Sequence, residues 1–435
     1  MARDAKTYFK ALRALSPLLV FLVLYLVTSL ILNDFYKVPI TVAFLASSIY
    51  ALAITPGKLT DSLNVFSKGA GDNNLLLMLW IFIMAGAFAS SAKDMGGIEA
   101  TVNTALRWLP ANIILPGLFF SSCFISLAIG SSTGTVAALV PIAWGLSGEI
   151  NTDPAMIVGL VVGGAYFGDN LSFISDTTIV ATQTQGCRMS DKFKENIKIV
   201  GPVAVIMITA YYFMGRDVRG VEDIPEVDFI KVLPYLIVII SAMSGMNVVI
   251  VLMCGLALTG IIGIWQGTFT IWEWLASIQR GITSMSDLII MTLLAGGMLS
   301  IIRHNGGINY LIKALSMKVS GKRGGEFCIS CMVVLVNMCT ANNTVALITV
   351  GPIAKDISGK YGISPRRTAS ILDTMSCFTQ GLLPYGIQTL MAVQLTSNML
   401  TPIDVVSHLY YPMLIGAAVI ISIIIGSKTI KKADT

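Results

Sequence analysis

The densest run of chemistry-bearing residues is Gly163-Gly-Ala-Tyr-Phe-Gly-Asp-Asn-Leu-Ser-Phe-Ile-Ser-Asp-Thr-Thr178. It sets two carboxylates, Asp169 and Asp176, seven residues apart within an apolar stretch. Seven residues make two helical turns, so one continuous helix would carry both on one face. Ser172 lies between them, and Asn170, Ser175, Thr177 and Thr178 add oxygen atoms. A charge at mid-membrane costs roughly 2.5–3.5 kcal/mol on insertion scales, so it needs a partner, an ion or water. Hard cations take oxygen ligands. Extended to Na⁺, that rule makes Asp169, Asn170, Ser172, Asp176 and Thr177 a candidate cation and proton site, with Asp169 and Asp176 the expected Na⁺ ligands. The competing role for Asp176 is a helix cap at the membrane edge.

A second run reads Asp373-Thr374-Met-Ser376-Cys-Phe-Thr379-Gln380-Gly381-Leu-Leu-Pro384-Tyr385-Gly386. Asp373, near mid-span, is another candidate carboxylate; its competing role is a polar residue bonded to a neighbouring helix. Gly381 and Pro384-Tyr385-Gly386 would break a helix and expose carbonyls. Two long apolar stretches, 111–147 and 327–358, are also interrupted at their middles. The interruptions are Gly130-Ser131-Ser132-Thr133-Gly134-Thr135 and Thr340-Ala341-Asn342-Asn343-Thr344. Backbone at membrane depth must satisfy its hydrogen bonds internally unless it lines a cavity. Each interruption therefore predicts the tip of a re-entrant hairpin, the alternative being two ordinary spans joined by a short loop. Ser131, Ser132, Thr133, Thr135, Asn342, Asn343 and Thr344, with Gln380 and Tyr385, are the expected tip and substrate residues.

The elements that must position these groups are membrane helices. The 435 residues are 55% hydrophobic and 12% charged, against roughly 25% charged in soluble proteins. Candidate spans lie near 17–32, 38–54, 75–91, 154–174, 197–214, 230–243, 247–264, 286–302, 366–383 and 408–425. The net charge of +5 comes from short loops and termini, which suits membrane orientation and excludes a nucleic-acid face. Seven cysteines, mostly in apolar runs, argue against a disulfide framework, and the Cys328-x-x-Cys331 pair lacks a second ligand pair for a metal. The basic N-terminal residues precede an apolar run with a poor cleavage site, which predicts an uncleaved first span. No P-loop or HExxH motif supports ATP use or metal-assisted hydrolysis, so no enzyme is expected. His304 and His408 read as residues near span ends, and Trp265, Trp272 and Trp274 as an interfacial belt.

The two halves match when the chain is shifted by about 210 residues. Gly96-Gly97 falls on Gly306-Gly307, Thr135-Val136-Ala137 on Thr344-Val345-Ala346, Pro141 on Pro352, and Pro154 on Pro365. The same alignment puts Gln380 opposite Asp169. Residues 148–153 carry no Lys or Arg, whereas 355–367 carry Lys355, Lys360, Arg366 and Arg367. Equivalent loops on opposite faces mean an inverted repeat. Arg188, Lys192, Lys194 and Lys198 mark 186–198 as cytoplasmic, and the tail lysines do the same. The expected architecture is one all-α polytopic membrane domain with about ten spanning helices, two re-entrant hairpins and both termini in the cytoplasm. Its parts are N-terminal helices (1–54), a first repeat (55–214), connecting helices (215–264) and a second, inverted repeat (265–435).

The run G-x-Y-F-G-D-N-x-S-x-x-S-D-T-T resembles the signature of the NhaC family of Na⁺/H⁺ antiporters, and D-T-x-S-x-x-x-Q-G-x-x-P-Y-G resembles its second-half motif. The similarity of layout spans nearly the whole chain. Two departures are Phe173, where many members carry Pro, and the Ser-Ser-Thr-Gly first tip. The family looks like part of the wider ion-transporter superfamily. That resemblance implies a scaffold with a transport domain moving as an elevator in a bacterial inner membrane and, by analogy, a homodimer. It implies secondary exchange of Na⁺ or another small cation for H⁺, with these ions and the bilayer as partners and no cofactor. The rival expectation is a Na⁺- or H⁺-coupled carrier of an organic acid or amino acid, held by hairpin N-termini, Asn342, Asn343, Gln380 and Gln388. The absence of an evident buried Lys or Arg favours the cation.

Overall fold

The computed structural model describes residues 2–32, 39–108, 110–150, 152–172, 175–218, 228–244, 246–310 and 320–426. Phe173, the acidic part of the expected outer loop and the tail lysines lie outside these residues. Every regular element among the described residues is helical. In lipid that is expected, because a helix satisfies its own backbone. Five helical stretches are long and apolar enough, by length and composition, to cross a bilayer, and shorter apolar helices accompany them.

The chain begins with α1 (Ala2–Leu22), a π turn (Val23–Val27) and α2 (Thr28–Leu32). Then come α3 (Ile40–Ile54), α4 (Leu59–Ala70), α5 (Asn73–Asp94) and α6 (Gly97–Trp108). The first motif occupies α7 (Ala111–Ile129), α8 (Ser132–Glu149), α9 (Pro154–Leu171), α10 (Asp176–Gln185) and α11 (Met189–Met214). Next come α12 (Phe229–Met243), α13 (Val248–Trp265), α14 (Ile271–Ser284) and α15 (Ser286–His304). The second motif occupies α16 (Gly321–Thr340), α17 (Asn343–Tyr361), α18 (Pro365–Leu382) and α19 (Ile387–Leu395), followed by α20 (Pro402–Ser407) and α21 (Tyr410–Ile425).

Two packing groups emerge. In one, α5 packs on α13 and α14, and α15 packs on α3 and α4. In the other, α9 packs on α7 and α8, and α18 packs on α16, α17, α10, α11 and α21. Small residues let the backbones approach, as expected where lipid supplies no hydrophobic drive between helices. Gly86 and Gly281 face each other so closely that a Cβ on either would strike the other's carbonyl. Gly164 and Gly168 lie against Ser122 and Ser126, whose hydroxyls donate to the carbonyls of Val161 and Ala165 at 2.6 and 2.5 Å.

Both interrupted stretches turn in the same way. α7 ends at Gly130 (φ 70°) and α16 at Ala341 (φ 50°), each left-handed. The next residues, Ser131 and Asn342, are extended at φ −144°, ψ 115° and φ −145°, ψ 114°. Each caps the following helix: Gly134 N–H donates to Ser131 Oγ, and Val345 N–H to Asn342 Oδ1. These caps set the local offset at 211 residues. The match of Thr135 to Thr344 is therefore corrected: Thr133 stands opposite Thr344, and Thr135 opposite Ala346. Hydroxyl side chains at neighbouring positions allowed the slip.

The expected single helix over 154–174 is also corrected. α9 ends at Leu171 with Ser172 as its C-cap, and α10 restarts after Ser175, whose Oγ accepts from Thr178 N–H. Asp169 and Asp176 do not share a helical face. The cause is local: Ser and Thr hydroxyls compete for backbone groups and favour caps over helix interiors.

Candidate functional site

Asp169 sits near the C-terminal end of α9, 4% exposed, and its Oδ1 accepts from Ser132 N–H at 3.1 Å. The donor is the first residue of α8, so the carboxylate meets the positive end of that helix. The main-chain carbonyl of Asp169 faces the helix break. Ser175 Oγ donates to it at 2.9 Å, Thr177 Oγ1 at 3.2 Å and Thr178 Oγ1 at 3.4 Å. The last carbonyls of a helix lack intrahelical donors, and here side chains supply them. Ser172 is buried beside this cluster, and its N–H closes on the Gly168 carbonyl at 2.7 Å.

Asn170 continues the arrangement. Its carbonyl accepts from Lys192 Nζ at 2.9 Å and from Asn196 Nδ2 at 2.8 Å. Lys192 Nζ lies 2.8 Å from Asp373 Oδ2, and Asn196 Nδ2 also donates to that oxygen at 2.9 Å. Lys192 and Asp373 are 1% and 0% exposed. Thr178 Oγ1 is the third oxygen on the ammonium. The structure thus links Asp373 to the Asp169 segment through Lys192 and the end of α9.

Lys192 overturns the expectation that no Lys or Arg is buried near these carboxylates. The sequence pattern makes it a cytoplasmic loop charge, but it lies in the first turns of α11, with Asn196 one turn later on the same face. Arg188, Lys194 and Lys198, its neighbours in that pattern, are exposed. The legible signal was spacing: Lys192, Asn196, Val200, Val203 and Met207 form one helical stripe, all buried. Arg367 is likewise not a loop charge. It is 4% exposed, with Nη2 3.3 Å from Glu326 Oε2 and 2.8 Å from Ser422 Oγ.

Asp176 stands apart from these buried groups. It occupies the exposed first position of α10, and among the described residues nothing hydrogen-bonds its carboxylate. An acidic residue there favours the helix N-terminus, but the capping role weighed from the sequence for Asp176 falls to Ser175.

The tips are joined by side chains. Gln388 Nε2 donates to Ser132 Oγ at 3.0 Å, and Gln380 Nε2 donates to Gln388 Oε1 at 3.1 Å and to the Ala341 carbonyl at 3.0 Å. Ser132, Thr133, Thr135, Asn342, Asn343 and Thr344 are all buried, and Ser131 is half-buried. Ser131, Thr133 and Thr135 bond within the first tip, and Asn343 Oδ1 accepts from Thr344 N–H. Tyr385 is buried and donates to the Met338 carbonyl at 2.9 Å, bracing α16 just before its tip. A cavity of about 450 Å³ opens beside the second tip, lined in part by Asn342, Tyr385, Lys68, Asp72, Arg303 and His304.

The other expectations fall outside this centre. All seven cysteines are unbridged thiols, so Cys328 and Cys331 form no disulfide. Trp265 and Trp272 are exposed, as an interfacial belt requires, but Trp274 turns inward and its indole N–H donates to Ser91 Oγ. His408 Nε2 lies 3.4 Å from Asp153 Oδ2, the residue that caps the start of α9.

An apolar helical bundle with two buried carboxylates, one of them beside a helix break, fits a polytopic membrane transporter, and the family match assigns the chain to that class. The chain belongs to the Na⁺/H⁺ antiporter family, whose sequence profile matches residues 5–216 and 227–427. It is 23% identical over 394 residues to the Na⁺/H⁺ antiporter NhaC of Bacillus subtilis, covering 82% of this chain and 84% of that one. It is 25% identical over 330 residues to NhaC of Alkalihalophilus pseudofirmus, covering 67% and 70%. It is also 22% identical over 416 residues to the malate-2H⁺/Na⁺-lactate antiporter of Bacillus subtilis, covering 86% and 87%.

Proposed function

We propose that this protein exchanges Na⁺, or another small cation, for H⁺, and that Asp169 is the group for which both compete. One observation carries the reading: a buried carboxylate lies against the first tip, at a helix break where three hydroxyls gather on its own carbonyl. Ionised Asp169 takes the cation, with Asn170, Ser172 and Thr177 as neighbouring oxygens, and neutral Asp169 carries the proton. A bare buried charge is costly, so the empty ionised site does not cross. Exclusion at one site then gives antiport without long-range coupling.

Several features support the expected machinery. The equal caps at a 211-residue offset favour an inverted repeat with two re-entrant hairpins. The two packing groups favour an elevator, in which α7–α11 and α16–α21 carry the site past α3–α5 and α12–α15. Basic termini and loops favour a cytoplasmic N- and C-terminus in a bacterial inner membrane, and a homodimer completes this reading by analogy with elevator carriers. Asp373 tunes the site through Lys192, and Asp176 lies outside it.

A second reading has one specific observation behind it. The cavity beside Asn342 is of the size that encloses small organic ligands and far larger than a bare cation needs, and Lys68, Arg303 and His304 line it together with the single carboxylate Asp72. An organic acid would suit that lining, and a relative is named for malate and lactate.

Purified protein in proton-tight vesicles, driven by a panel of cations and carboxylic acids, tests both. The first reading predicts proton flux with Na⁺ alone, lost in Asp169→Asn. Flux that requires a carboxylic acid, or normal Na⁺-driven flux from Asp169→Asn, would remove it.

A further inference from the structure

The Lys192 ammonium is held in a manner unusual for an ion pair. Three oxygens from three different segments converge on it: Asp373 Oδ2 from α18, the Asn170 carbonyl from the end of α9, and Thr178 Oγ1 from α10. A carboxylate, a carbonyl freed at a helix end and a hydroxyl are the ligand types that hard cations select. Three further oxygens of the residues around it, Asp373 Oδ1, Asn170 Oδ1 and Asn196 Oδ1, are buried and accept no hydrogen bond among the described residues. Both amide assignments are fixed by the network, since Asn196 Nδ2 serves two acceptors and Asn170 Nδ2 donates to the Tyr166 carbonyl. An ordinary buried ion pair in lipid would be expected to satisfy such atoms. Here oxygen ligands outnumber the donors.

We propose that these oxygens form a second monovalent-cation site, and that Lys192 fills it as a tethered cation. By occupying Asp373, the ammonium leaves the Asp169 site as the one open to a diffusible ion. Lys192 is therefore a positioning residue that limits the protein to a single transported cation. The inference rests on the cation-exchange reading only for the identity of the competing ion. No bond is made or broken: one positive charge, on nitrogen or on a metal ion, balances the Asp373 carboxylate.

The test uses full-length protein carrying Asp169→Asn, so that the proposed transport site cannot supply the signal. Thermal unfolding in detergent is compared in NaCl and in choline chloride of equal ionic strength. With Lys192 intact, the two salts should give the same Tm. Adding Lys192→Gln exposes the cage, and NaCl should then raise Tm by at least about 5 °C in a saturable way, since a ligand binding only the folded state stabilises it. Adding Asp373→Asn as well should abolish the difference while leaving a folded protein. Equal Tm values for the Lys192→Gln protein in both salts would overturn the proposal, as would a Na⁺ effect that survives Asp373→Asn. Recovery of the Asp373→Asn, Lys192→Gln protein while the Lys192→Gln protein is lost in both salts would also overturn it, because Na⁺ would then be unable to replace the ammonium. None of these outcomes depends on whether Asp169 is the transport site, which the vesicle assay decides separately.

Discussion

The two tips share backbone geometry to within a degree at their cap residues, yet a different side chain holds each. At the first tip the holder is Asp169, an acceptor taking the Ser132 N–H. At the second it is Gln380, 211 residues later, a donor reaching the Ala341 carbonyl. The same pairing recurs one layer away, where Ser126 donates to the Ala165 carbonyl and Asn337 to the Ser376 carbonyl. The two tips share a backbone frame but not a charge. On the proposed reading, the neutral amide braces the second tip, whereas the carboxylate at the first exchanges one partner for another. The functional asymmetry therefore lies in one residue type on a common frame.

Breaking that comparison most severely means removing the charge, and Asp169→Asn should reduce Na⁺-driven proton flux in vesicles to background. Next in size is the buried pair. Asp373→Asn leaves the Lys192 ammonium without its counter-charge, a change that costs about 3–5 kcal/mol when a buried partner is lost. Its thermal unfolding should shift down steeply, and the Lys192→Gln, Asp373→Asn protein should recover most of the loss. A smaller effect comes from Gln388→Ala, which cuts the link between the tips and leaves the Ser132 hydroxyl and Gln380 short of partners. That should cost about 1–3 kcal/mol in unfolding measurements and slow transport without changing which ion is carried. The comparison can also be sharpened at the left-handed residue, Gly130 in one tip and Ala341 in the other. Ala341→Gly relieves a conformation worth about 1 kcal/mol and should raise stability slightly. Asp176→Asn should leave flux unchanged and lower stability by at most about 0.3–1 kcal/mol, because the carboxylate is exposed and only its place in the first turn of α10 favours the charge.

Much of this was legible before any coordinates. Both tips announced themselves as polar breaks in apolar runs, and the matched prolines Pro154 and Pro365 start α9 and α18 where the pattern placed them. Asp169 and Asp373 stood out because charge inside such runs is costly. The expectation that Asp169 and Asp176 share a helical face came from reading spacing through a segment where caps interrupt the helix. Side-chain hydroxyls that compete with the backbone leave hydrophobic periodicity intact while ending the helix. Lys192 was hidden by a different cause. Lysine near a membrane boundary ordinarily marks a cytoplasmic loop, and only its helical register with Asn196 and Val200 betrays that it points inward. Its partner lies in the other half of the chain, and no local pattern reveals a pairing at that distance.

The central claim is that a cation and a proton exclude each other at Asp169. The most direct measurement is equilibrium binding of radioactive Na⁺ to the purified protein across a pH series. Competition for one carboxylate predicts that, on the acid side, apparent affinity weakens about tenfold for each unit by which pH falls, and that Asp169→Asn protein binds no Na⁺ at any pH. Affinity that is flat with pH, or unchanged in Asp169→Asn, would contradict the account.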